Sequence, residues 1–155
     1  MNRREQYKKF QHMKVQLLLF CEYWEIPVRD GEAHRPRMVA EDYQRRGVGI
    51  LNSKHRKSLA KDWWIIHIRD ATDITWIPTA RVIDYKGKQT GTRPLTDAEI
   101  DQQDISHASR ERIKQAKKWL EMMGASWEKQ GGTWGGNFKK YDPYHFEIKG
   151  PVAKS

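Results

Sequence analysis

The stretch LAKDWWIIHIR at residues 59–69 constrains this chain most. It is the strongest strand candidate, with Asp62, Trp64, Ile66 and Ile68 on one face and Trp63, Ile65 and His67 on the other. TWIPTARVIDY at 75–85 suggests further short strands broken at Pro78, and IPV at 26–28 a short extended segment after Pro27 closes a helix. That helix covers residues 5–23, where Tyr7, Phe10, Val15, Leu17, Leu18, Phe20 and Cys21 lie largely on one stripe. A short helix over 38–46 closes at Gly47, and 47–53 is a glycine-led loop. Residues 86–94 are polar and read as an exposed connection.

SRERIKQAKKWLEMM at 109–123 is a convincing helix. Its apolar stripe is Ile113, Ala116, Trp119, Leu120 and Met123, and Gly124 is the expected stop. These elements make an α+β fold: one compact domain over residues 1–150 with a small, mainly antiparallel sheet flanked by helices, then a tail at 151–155. The low apolar content, 37%, is offset by seven tryptophans that bring bulky surface to the core.

Charge and cysteine content narrow the setting. The formal charge of +9 favours anionic partners without choosing among nucleic acid, lipid and envelope polymer. Cys21 stands alone, so no intrachain disulfide forms, which suits synthesis in a reducing compartment. No apolar core of a signal peptide follows Met1, and the longest apolar run, at 17–21, is too short to span a membrane. The expectation is a soluble, monomeric protein, cytoplasmic when made.

Two stretches carry metal-ligand chemistry. SKHRKSLAKD at 53–62 holds His55 and Asp62 in a basic run. Ligands of one zinc ion stand roughly 3 to 3.5 Å apart. A helix would separate these two by about 10 Å of rise, and a straight strand would set them about 23 Å apart on opposite faces. A shared metal therefore needs a turn between Arg56 and Ala60; a solvated charge run is the competing reading. DPYHFE at 142–147 places Phe146 and Ile148 opposite His145 and Glu147, with Asp142 beyond the bend at Pro143. Two histidines and an aspartate would leave a coordination position for water, and Asp142 could move its proton. A turn aspartate and a partly buried histidine account for the same residues. His12, His34, His67 and His107 assemble no better site.

Taken together, the pattern resembles the zinc-dependent peptidoglycan peptidases of the M15 group: D-alanyl-D-alanine carboxypeptidases, vancomycin-resistance dipeptidases and phage endolysins. Phage L-alanyl-D-glutamate peptidases look closest. The family motif S-x-H-x-x-G-x-A-x-D reads SKHRKSLAKD here. W-G-G-D-F followed by D-x-P-H-F-E reads WGGNF at 134–138 and DPYHFE at 142–147, and G-E-x-x-R reads GEAHR at 31–35. The resemblance covers roughly residues 10–148 and implies a Hedgehog/DD-peptidase-like fold.

It also implies Zn2+ held by His55, Asp62 and His145, with Asp142 as catalytic carboxylate and Arg35 holding substrate and the developing oxyanion. Ser53 would orient the motif or touch substrate, and Glu147 would support His145. Trp134 either floors a substrate cleft, with Gly135 and Gly136 admitting the peptide, or is a core tryptophan in a glycine-rich turn. Three departures stand out: Ser58 for the motif glycine, Asn137 for aspartate, and Pro143 directly after the acid rather than before the histidine.

The implied activity is that of an endolysin cutting the L-alanyl–D-glutamate bond of peptidoglycan stem peptides, with D-alanyl-D-alanine carboxypeptidase as the alternative. The enzyme would be made in a host bacterial cytoplasm and act on the wall after release, where its lysines could meet anionic envelope material. A basic nucleic-acid module using Arg3, Arg4, Lys8, Lys9 and residues 112–118 competes from another class, but no base-reading motif accompanies it. A non-catalytic wall-binding protein is the third reading.

Overall fold

In the computed structural model the described residues are 1–31, 54 and 59–154. The helix expected over 38–46, the loop at 47–53, and Arg35, Ser53, His55 and Ser58 lie outside them. The chain opens with helix α1 (Arg3–Tyr23), started by a capping box in which Asn2 and Glu5 each bond the other's backbone N–H. Its buried stripe is Phe10, Met13, Leu17 and Cys21, the i, i+3, i+4 set. Tyr7, Val15 and Leu18, expected on that stripe, are exposed, because α1 is apolar on more than one side.

Strands β1 (Val28–Asp30), β2 (Ala60–His67), β6 (Gly132–Trp134) and β7 (His145–Ile148) form a sheet in the order β1-β2-β7-β6, with β3 (Asp70–Ile74) hairpinned onto β2. All of these pairings are antiparallel. The alternation read at 59–69 is the burial pattern of β2: Trp63 and Ile65 are buried, while Asp62, Trp64 and Ile66 are half-buried on the other face. Phe146 and Ile148 alternate in the same way on β7.

The inner face of this sheet is covered by α1 and by α3 (His107–Lys129). Trp127 of α3 joins the layers. Its ring meets Phe10 of α1 and Phe146 of β7 edge-on at centroid distances of 5.8 and 5.7 Å, and its Nε1–H donates to the Glu147 carbonyl at 2.8 Å. The C-terminal residues dock on α1, where the buried Gln6 amide donates to the Pro151 carbonyl and accepts from the Ala153 amide.

Two sequence expectations are corrected. The polar stretch at 86–94 is not merely a connection: it contains β5 (Gln89–Pro94), paired with β4 (Thr79–Ile83) in a separate two-stranded sheet. Asp84 shapes the turn by accepting from the Lys86 and Lys88 amides. Strand β4 falls within the short strands read at 75–85, but β5 buries no face, so no hydrophobic alternation marks it. A short helix, α2 (Asp97–Asp101), follows, capped reciprocally by Thr96 and Glu99.

Gly124 does not end its helix. It lies inside α3, and a Cβ there would stand 2.1 Å from the Trp134 ring. Its role is close packing of helix on indole. Helix propensity alone favours alanine at such a site by about 1 kcal/mol, whereas overpacking costs about 1–3 kcal/mol. Gly124→Ala is therefore expected to lower stability in urea denaturation; a stabilised variant would show that Trp134 yields freely.

Candidate metal site

The outer face of the sheet gathers the ionisable groups. In the β2–β7 pairing Asp62 stands directly opposite His145, so both side chains leave the sheet on the same side. Glu147, two residues on from His145, shares that side. Asp142 arrives from the turn before β7. Its amide donates to the Gly135 carbonyl at 3.0 Å, and its own carbonyl accepts from the His145 amide at 3.2 Å. The approach requires glycine, since a Cβ on Gly135 would lie 2.2 Å from the Asp142 carbonyl oxygen.

Asp62, Asp142 and His145 each offer one ligand atom, and these atoms all lie within 4.8 Å of one another. Two carboxylates and an imidazole this close can hold a divalent cation. The histidine is prepared for it. Its Nδ1 faces Asp62 Oδ1 at 3.6 Å, while Nε2 lies 3.1 Å from Glu147 Oε2. With Nε2–H donated to Glu147, Nδ1 presents its lone pair on the side of Asp62. Lys54 Nζ holds the other Glu147 oxygen at 3.1 Å and also donates to the Ile148 carbonyl.

Electrostatics point the same way. Burial lowers the His145 pKa, but contact with Asp62 and Glu147, and the charges of Glu147 and Asp142, outweigh it and raise the value to about 9. Burial opposes ionisation of Glu147 too, yet His145 and Lys54 hold its pKa below the usual carboxylate range. The cluster attracts positive charge, and without a cation it draws a proton onto His145.

Of the residues singled out in the sequence, Asp62, Asp142, His145 and Glu147 come together on this face. His55, Arg35 and Ser53 fall outside the described residues, but the described flanks of that segment reach the cluster. The Gly31 amide donates to the Asp62 carbonyl at 2.7 Å, Lys54 sits on Glu147, and the Lys54 carbonyl accepts from the Leu59 amide at 2.8 Å. Trp134 is 7% exposed and donates from Nε1 to the Pro143 carbonyl at 2.7 Å, so it packs in the core and supports the Asp142 turn. Gly135 approaches the chain's own Asp142 backbone, and Asn137 donates to Glu128 on α3.

Sequence reasoning missed Lys54 and Phe138, whose ring lies 5.6 Å from that of His145. Lys54 occupies a variable position of the first motif and so carries no spacing signal. Phe138 closes WGGNF, which marks it as part of a block without indicating its neighbour. A scan against protein-family models returns no match for the chain, and a search of curated proteins returns none either.

A proton and a divalent cation would compete for His145. Its folded pKa is above the ordinary 6.5, so in metal-free protein its contribution to stability is fully present below that value and is lost as pH rises through about 9. Affinity for a divalent cation should move oppositely, strengthening by about tenfold per pH unit between those values as one proton is displaced. Calorimetric titration in buffers of different ionisation enthalpy reads the proton released; affinity independent of pH would place the metal elsewhere.

Proposed function

We propose that this protein is a metal-dependent hydrolase whose metal is zinc and whose substrate is the stem peptide of peptidoglycan, cut between L-alanine and D-glutamate. The observation that carries the hydrolytic reading is the meeting of Asp62, Asp142 and His145 on the outer sheet face, with Glu147 bonded behind the histidine. The choice of substrate and bond rests on the motif resemblance at 31–35, 53–62 and 134–147.

Asp62 and His145 would hold the ion, joined by His55 from the first motif. A bound zinc ion supplies Lewis acidity, polarising the scissile carbonyl and acidifying water. The chain's own groups do the rest. Glu147 fixes the His145 tautomer and ring orientation. Asp142 accepts a proton from the attacking water and returns it to the departing amine. Arg35 holds the oxygen on which negative charge develops. The charge of +9 favours approach to an anionic wall.

The test is mass spectrometry of purified peptidoglycan digested with zinc-loaded protein, beside a chelated sample. New L-alanine carboxyl termini and D-glutamate amino termini, absent after chelation, are expected. Asp142→Asn should slow the reaction by roughly a hundredfold or more. Release of terminal D-alanine would move the activity to the carboxypeptidase branch. Undiminished cleavage after chelation, or by His145→Ala, would end the metal mechanism.

A further inference from the structure

Beside the metal cluster three aromatic rings meet. Trp64 leaves β2 on the same face as Asp62, two residues further along, or about 7 Å. Tyr144 immediately precedes His145. Trp76, from the segment between β3 and β4, joins them: its ring centroid lies 6.1 Å from Trp64 and 5.2 Å from Tyr144. The interplanar angles are 61° and 82°, so neither neighbour stacks parallel on Trp76, and the residue is 55% exposed.

The trio is held in place from behind. The Ile77 amide, next to Trp76, donates to the Tyr144 hydroxyl at 2.7 Å, and Ile77 itself is buried. Arg29 on β1 lies over the Trp64 ring at 5.1 Å and donates to the Ala71 carbonyl on β3. One exposed tryptophan would need no explanation. A pinned tryptophan, braced edge-on by two further rings and adjoining a cluster of candidate ligands, is a preorganised stacking surface.

We infer that Trp76, braced by Trp64 and Tyr144, is a sugar-binding platform that stacks against the glycan strand while the attached stem peptide lies at the metal cluster. This rests on the proposed peptidoglycan reading. A pyranose ring offers a flat face of C–H groups, slightly positive, to the negative face of an indole. The stem peptide offers only alanine, a carboxylate side chain and a diamino acid near the scissile bond, none of which calls for three aromatic rings. The glycan is joined at the amino end of that same peptide, one residue from the bond to be cut. Its nearest sugar therefore comes within the short span between Asp62 and the trio.

The experiment compares hydrolysis of intact peptidoglycan with that of the bare stem peptide by the wild type, Trp76→Ala, Trp76→Tyr and, as an exposed aromatic in the β4–β5 turn, Tyr85→Ala. Binding of peptide-free glycan to the chelated proteins is titrated in parallel. Trp76→Ala should raise KM for intact peptidoglycan by about tenfold more than for the bare peptide, with kcat less affected. It should weaken glycan binding similarly, Trp76→Tyr should retain most of both, and Tyr85→Ala should change neither. Equal effects on the two substrates, or glycan binding unchanged by Trp76→Ala, would overturn the platform. If the wild type cuts neither substrate, the hydrolytic reading fails by itself, and the glycan titration still decides whether Trp76 binds sugar.

Discussion

The candidate site depends on one strand register. Asp62 and His145 belong to distant parts of the chain and meet because β2 and β7 pair antiparallel with those residues opposite each other. A slip by one residue would turn Asp62 and Lys61 to exchanged faces and send a carboxylate into the core. Burial opposes that slip strongly, because Trp63 and Ile65 on β2 and Phe146 and Ile148 on β7 all need the inner face. Hydrophobic patterning on one side of the sheet thereby sets the geometry of the polar side.

Two indoles hold the segment that carries the chemistry. Trp134 donates to the Pro143 carbonyl near one end, and Trp127 donates to the Glu147 carbonyl at the other. Between these anchors lie Tyr144, His145 and Phe146. Both tryptophans are buried, and both donor groups find the partner that a buried N–H requires. The aromatic content thus serves more than bulk: it ties the outer face, where cation and substrate chemistry can occur, to a helix-backed core.

The local elements were largely legible. The alternation at 59–69 became β2, the stripe at Ala116, Leu120 and Met123 became the buried side of α3, and the expected α+β arrangement with an antiparallel sheet and flanking helices is present. The misses have separate causes. Strand β4 falls within the strands read at 75–85, whereas its polar partner β5 buries no face and leaves no period to read. In the sequence Gly124 reads as a helix stop because glycine so often is one, whereas in the fold its lack of a side chain admits Trp134. Trp134 itself admitted two readings until its burial and its bond to Pro143 placed it in the core.

The sequence by itself determined which residues have suitable chemistry and which local periods they occupy: Asp62 on a strand, His145 and Glu147 on one side of another, Asp142 before a proline. Those facts follow from backbone geometry over a few residues. Only the tertiary structure decided that Asp62, Asp142 and His145 share one point, that Lys54 braces Glu147, and that Trp64, Trp76 and Tyr144 stand together beside them. Such juxtapositions depend on strand register and on how closely a helix can approach an indole. Both are settled by the burial of residues elsewhere in the chain, which no local spacing encodes.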